Sequence, residues 1–271
     1  MKKIFLIALA AVFCTFTTTI AQKKETRNVG EFSRLNFGVP GTLHLKQGST
    51  QSVVLEGAPE LLEKIETEIS DGRLSIKARD EWRRWNWGSE KITAYVTMKN
   101  IRGLSVSGSG NMTGDGTLRA GDLDLAVSGS GRMEVNVEAS GEMEANVSGS
   151  GSMTFKGSCS DIDGDVSGSG SMRLTLGSTK EASFRVAGSG NIQVSGSADT
   201  MKTSISGSGV VRGADFQTRI CRVQITGSGD VEVGVSEELD ANITGSGGVR
   251  YRGNPDKVNS HSTGSGKVRQ M

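Results

Sequence analysis

The sequence predicts an all-β fold: a single-stranded parallel β-helix, or β-solenoid, of about 20 residues per rung. Three observations carry this. Gly-Ser-Gly recurs nine times, at Gly108, Gly129, Gly149, Gly168, Gly188, Gly207, Gly227, Gly245 and Gly264, in steps of 18 to 21 residues. Two positions before it stands a β-branched residue in eight of the nine copies, from Val106 to Ile243, with Ser262 in the last. Four positions after it stands an apolar residue in every copy, from Met112 to Val268.

The chain opens with a stretch that reads as a secretory signal, Met1 to Ala21. Lys2 and Lys3 form its basic start, and Ile4 to Phe13 is an apolar run too short to span a bilayer. Export to the periplasm, the outer-membrane surface or the extracellular space is therefore expected. No transmembrane segment is expected in the mature chain. Residues 22–27 read as a short linker.

Residues 28–100 are less regular. Alternation marks strands at Phe32–Phe37, Thr42–Lys46, Ser52–Glu56, Arg73–Lys77 and Lys91–Met98. Pro59–Ile65 reads as a short helix or turn with Pro near its start. The segment is expected to form irregular coils that cap one end of the solenoid, since an open end exposes core and strand edges. All three tryptophans fall here, in Trp82-Arg83-Arg84-Trp85-Asn86-Trp87. Such a loop can stack on sugars or grip a partner surface, or it can pack its rings on the rod end. Both readings stay open.

Residues 101–271 are the array. The apolar offsets are all even, which is the period of a strand. Hairpin strands alternate direction, so successive copies need not repeat one residue at one offset. Parallel coils stack like on like, as here. The 3.6-residue spacing of helical repeats is missing. A right-handed coil is expected from the preference for right-handed crossovers. Adjacent rungs lie ~4.8 Å apart, so Cys159 and Cys221, three rungs apart, are too distant for a disulfide. The glycines read as a repeated corner. Two hydroxyl columns flank them, one from Ser107 to Thr263 and one from Ser109 to Ser265.

Chemistry is sparse. A net charge of +1 gives no argument for a nucleic-acid partner. The two histidines, His44 and His261, stand at opposite ends of the sequence, and no cofactor motif occurs. One column carries charge. Five residues before the motif stand Asp124, Glu144 and Asp163 on successive rungs, with Lys202 and Arg222 further along. Three stacked carboxylates can hold Ca²⁺, although such columns are more often a solvated acidic face. Asp161, Asp163 and Asp165 share one strand face and are the nearest thing to a catalytic carboxylate set.

The repeated Val-Ser-Gly-Ser-Gly-x-Met units, the stretch Leu61–Leu74 and the closing Tyr251-Arg252-Gly253-Asn254-Pro255 resemble a known family, the putative auto-transporter adhesin, head GIN domain. The resemblance spans about residues 31–269. It implies an exported β-helical adhesin-like domain and transfers no functional residue. The auto-transporter half of that name calls for a membrane barrel of alternating strands. The sequence contains none, so surface display is expected to use other machinery. The expected function is a non-enzymatic envelope binding module for a glycan or a surface protein, without a cofactor. The alternatives are a polysaccharide-degrading β-helix and a self-associating structural module that pairs through its rod ends.

Overall fold

The structure is a computed structural model that describes residues 22–82 and 91–271. In chain order it begins with β1 (Lys23–Arg27), β2 (Arg34–Phe37), β3 (Gly41–Gln47) and β4 (Ser52–Gly57). The one-turn helix α1 (Pro59–Leu62), β5 (Ile65–Ser70), β6 (Arg73–Ala78) and β7 (Ile92–Met98) follow. The regular coils are β8 (Gly103–Gly108) with β9 (Asn111–Ala120), β10 (Leu123–Gly129) with β11 (Arg132–Ala139), and β12 (Glu142–Gly149) with β13 (Ser152–Ser158). After β14 (Asp161–Gly168), the long strands β15 (Ser171–Gly188), β16 (Asn191–Gly207), β17 (Val210–Gly227) and β18 (Asp230–Gly245) each bend from one wall to the other. β19 (Gly248–Arg252), β20 (Lys257–Gly264) and β21 (Lys267–Gln270) complete the stack.

The coils stack as a β-solenoid of about 20 residues per rung. Two parallel walls result. Wall A runs β6, β2, β8, β10, β12, β14, the second halves of β15 to β18, then β20. Wall B runs β7, β3, β9, β11, β13, the first halves of β15 to β18, then β19 and β21. The wall A register puts Val127 on Val147, Val147 on Val166, Val166 on Val186 and Val186 on Ile205, so the core columns expected from the repeat are real columns. Each such side chain is at most 1 % exposed. Complete burial of an aliphatic side chain contributes ~1.5–3 kcal/mol, and every rung repeats it.

Gly-Ser-Gly forms the corner between the walls. The first Gly takes a positive φ, 98° to 128°, in all nine copies. A Cβ on Gly149 would stand 2.8 Å from the Gly129 carbonyl oxygen of the rung below. The second Gly is excluded from bearing a side chain for a different reason. A Cβ on Gly151 would lie 2.6 Å from Val127 Cγ1. The sequence places both glycines in phase with the core face. The structure corrects this for the first, which is largely exposed and serves the backbone turn, while the second is buried against the Val/Ile column in every copy but the last. Stacking continues through the corner, where Ser150 N donates to Gly129 O (2.9 Å) and Ser152 N to Gly131 O (3.0 Å).

The N-terminal part departs from sequential stacking. The rung formed by β2 and β3 lies directly on β8 and β9, although residues 52–98 separate them in sequence. That intervening stretch lays β6 and β7 on the far side of β2 and β3. Beyond β7, β4 and then β1 add antiparallel. Beyond β6, β5 adds antiparallel through a tight Asp71-Gly72 turn with φ of 51° and 69°. α1 buries Leu61 and Leu62 in the same core. Residues 23–27 are a strand, not the linker the sequence predicts. β1 is an edge strand held by its backbone pairing to β4, and its side chains, half-buried or exposed, leave no alternating apolar signal.

Candidate functional site: a charged groove on wall A

The outer face of wall A is built by strand alternation. On β14, Ile162, Gly164 and Val166 point inward, while Asp161, Asp163 and Asp165 point outward. The expected face-sharing of these three carboxylates is therefore present. Register then stacks the charged column along the rod: Asp124 beside Glu144, Glu144 beside Asp163, Asp163 beside Ser183, Ser183 beside Lys202, Lys202 beside Arg222, and Arg222 beside Asp240.

A groove of about 690 Å³ runs along this column from β12 to β18. Glu142, Glu144, Asp163 and Asp165 line its acidic half, Arg185, Lys202 and Arg222 carry the positive charge that follows, with Glu181 among them, and Asp240 closes the far limit. Two ion pairs tie the halves together. Arg185 Nη1 lies 2.9 Å from Asp165 Oδ2, and Lys202 Nζ pairs with Glu181 Oε1. Glu144 accepts a hydrogen bond from Asn146 Nδ2 (2.9 Å), and Asp124 accepts one from Arg34 Nη2 (3.1 Å). The groove is thus a polar trough in which an acidic stretch is followed by a basic one and then by Asp240. It can hold an extended ligand by charge and hydrogen bonding, and most of its lining is polar.

The column proposed for a cation, Asp124, Glu144 and Asp163, is adjacent in register, but each carboxylate is one rung from the next and two have protein partners. Among the described residues no group of three His, Cys, Asp or Glu side chains is placed to hold a metal ion. His44 lies on wall B, stacked on Tyr95 at 5.5 Å between ring centroids, and His261 lies on β20 of wall A. The structure does not bring the two histidines together. Cys159 and Cys221 are free and buried, as their rung separation requires. Burial pushes the Cys159 thiol up to about 11 and the Cys221 thiol up to about 12, so both are protonated at neutral pH and poor nucleophiles. Of the tryptophan-rich stretch, Arg83, Arg84, Trp85 and Trp87 lie outside the described residues, as does the side chain of Trp82; its backbone closes a 3-10 turn, Asp80–Trp82, after β6.

The sequence shows the charged column as a column but gives no sign of the groove around it. Arg185 and Glu181 flank Ser183 in the two adjacent outward columns, which are legible once neighbouring rungs are aligned at equal offsets from the glycine.

Comparison with known proteins gives a consistent picture. The family described as "Putative auto-transporter adhesin, head GIN domain" matches residues 31–176 and 165–255. No curated protein is significantly similar to the chain. Among solved structures, a putative lipid binding protein from Parabacteroides distasonis is similar with a TM-score of 0.68 and 22% identity, over 92% of this chain and 96% of that one. A putative adhesin from Parabacteroides merdae gives 0.67 and 19%, over 92% and 96%. A second P. distasonis protein, a putative adhesin, gives 0.64 and 20%, over 93% and 97%. At these identities the likeness establishes the shared fold. The family match spans most of the chain, and the protein belongs to the putative auto-transporter adhesin, head GIN domain, family.

Proposed function

We propose that this protein is an exported, non-enzymatic adhesin that engages a glycan or a surface protein across wall A. The observation that carries the reading is the groove, which presents polar and charged side chains rung after rung on a rigid parallel sheet. Side chains on strands are held more precisely than side chains on loops, and one rung spacing sets the repeat of the contacts. A polymeric or extended partner matches such a surface. Family membership supports adhesion as the class of function. Export rests on the apolar segment that opens the sequence. The stretch Trp82 to Trp87, between β6 and β7, is a second contact candidate on its composition alone.

A lipid ligand fits the chain less well, because the interior is filled by the stacked core columns and the groove is polar. The degradative alternative rests on Asp161, Asp163 and Asp165. They face solvent, and Asp165 is occupied by Arg185.

The test is binding of the purified chain to a glycan array and to whole cells, with a Lys202→Ala/Arg222→Ala variant beside it. The reading expects binding by the parent chain and at least a tenfold loss in the variant with the circular dichroism spectrum retained. Equal binding by both would sink wall A as the adhesive face. A Trp82→Ala/Trp85→Ala/Trp87→Ala variant measured alongside assigns or removes the tryptophan stretch. Turnover on a panel of polysaccharides would return the enzyme alternative to first place.

A further inference from the structure

The charges on wall A are ordered as well as numerous. In the column five residues before the motif, take Ser183 as centre. One rung to either side stand Asp163 and Lys202, and two rungs out stand Glu144 and Arg222. Sign reverses across the centre at both distances. A column whose charges reverse sign about its middle rung is complementary to itself when turned about a two-fold axis that crosses it at that rung.

We propose that wall A pairs with wall A of a second copy of this chain, rods antiparallel, about a two-fold axis that runs along the strand through Ser183. This rests on the reading of wall A as the adhesive face and names the surface protein that it engages. With the axis along the strand, each column faces itself and the rungs run in opposite order. Lys202, which also pairs with Glu181 of its own copy, then meets Asp163 of the second copy, and Arg222 meets Glu144, each pair occurring twice by symmetry. In the adjacent column Asn146 meets Gln224, two amides that can exchange donor and acceptor. Arg185 and Glu181 fall on the axis, each opposite its own copy, and Lys202 neutralises each Glu181. Each Arg185 already holds Asp165 at 2.9 Å, so the four groups form a ring of alternating charge. Three rungs out, Asp124 and Asp240 would meet with like sign, but Arg34 holds Asp124 at 3.1 Å.

A partner of one charge sign matches only one half of the column from Glu144 to Arg222. A second copy matches both. Antiparallel rods also suit contact between molecules held on two opposed surfaces. The contact is polar and exposed, so it is salt-sensitive. Screening lengths are ~30 Å at about 0.01 M salt and ~3 Å at about 1 M.

The experiment is sedimentation velocity of the chain at about 0.01 M and about 1 M salt, the two screening regimes above, with circular dichroism as the check on folding. A dimer at low salt that becomes monomer at high salt is expected. Lys202→Glu and Asp163→Lys should each give monomer at both salts, since each places two like-charged pairs across the axis. The double swap Asp163→Lys/Lys202→Glu should restore the dimer. A short bismaleimide should link Ser183→Cys into dimers and leave the wall B control Gln193→Cys monomeric. A monomer at low salt, or a dimer indifferent to both single variants, overturns the proposal. If the chain is monomeric but Lys202→Glu loses cell or glycan binding, self-pairing fails and wall A stands as the adhesive face. If a salt-sensitive dimer forms with the expected swap pattern while cell binding ignores every wall A variant, pairing stands and the adhesive reading fails.

Discussion

The carbonyl oxygen of Gly129 accepts the Ser150 N–H at 2.9 Å and stands 2.8 Å from the point a Cβ on Gly149 would occupy. Rung stacking at the corner thus requires both a positive φ and an absent side chain at the same residue. Gly72 separates the two demands. Its φ is +69°, yet a Cβ there would meet nothing within 4 Å. Gly72→Ala should lose only the conformational term, ~1–2 kcal/mol. Gly149→Ala should lose that plus the displacement of a backbone rung, ~3 kcal/mol or more in total. Urea unfolding of the two variants checks the difference, and equal losses would contradict the close-stacking account.

Gln47 and Arg119 form a second junction, 72 residues apart in sequence. The Gln47 amide accepts the Arg119 N–H at 2.8 Å and donates to the Arg119 carbonyl at 2.9 Å, imitating a strand pair where the backbone pairing of β3 with β9 has ended. It also donates to Lys99 O at 3.1 Å. Gln47→Ala should cost ~1–2 kcal/mol. Gln47→Glu should do no better at neutral pH, because a carboxylate has no donor for the two carbonyls, and should regain part of the loss below about pH 4 when it is protonated. Unfolding midpoints at the two pH values, each relative to the parent chain, decide it.

These two junctions mark where the sequence is readable and where it is not. Val147 stacks on Val166 because both stand two residues before a Gly-Ser-Gly, and a repeat makes that visible without any structure. Nothing comparable announces Gln47, whose partner is set by a rung order that differs from chain order. The same interleaving hides the contact of β2 with β8, which depends on the stretch between them folding outward and returning. β1 is illegible for another reason: its pairing is all backbone, and Lys23-Lys24-Glu25-Thr26-Arg27 carries no apolar face. In the groove, Glu144, Asp163, Lys202 and Arg222 are readable as a column. That they enclose a trough depends on the outward reach of the side chains in adjacent columns.

Thr203 is a flaw in a column whose other buried members are apolar. It is 4 % exposed, between Phe184 and Val223 in register, and its Oγ1 has no hydrogen-bond partner. An unpaired buried hydroxyl is destabilising, and valine has nearly the same shape without it. Thr203→Val should stabilise the chain by ~1 kcal/mol or more, read as a raised urea midpoint with unchanged slope. A loss of stability would mean that the hydroxyl has a partner in solution.

The buried thiols make stability depend on alkaline pH. Desolvation is the leading cause at both sites, and it raises Cys159 from 9.0 to about 11 and Cys221 from 9.0 to about 12. At Cys159 a hydrogen bond from Thr179 partly offsets the rise. A folded thiol that ionises later than the unfolded one binds more protons than the unfolded chain between the two values. Its contribution is therefore complete below about pH 9 and falls as pH rises above it. At about pH 10 each thiol has lost ~1.4 kcal/mol of its stabilising effect. Cys221→Ala should lower stability at neutral pH through lost packing, yet fall less steeply than the parent chain between about pH 8.5 and 10.5. Unfolding curves across that window measure the slope. In the same window both thiols of the folded parent should resist a thiol reagent and react once urea opens the coils. Rapid labelling of the native chain would show that the rungs around Cys221 open without global unfolding.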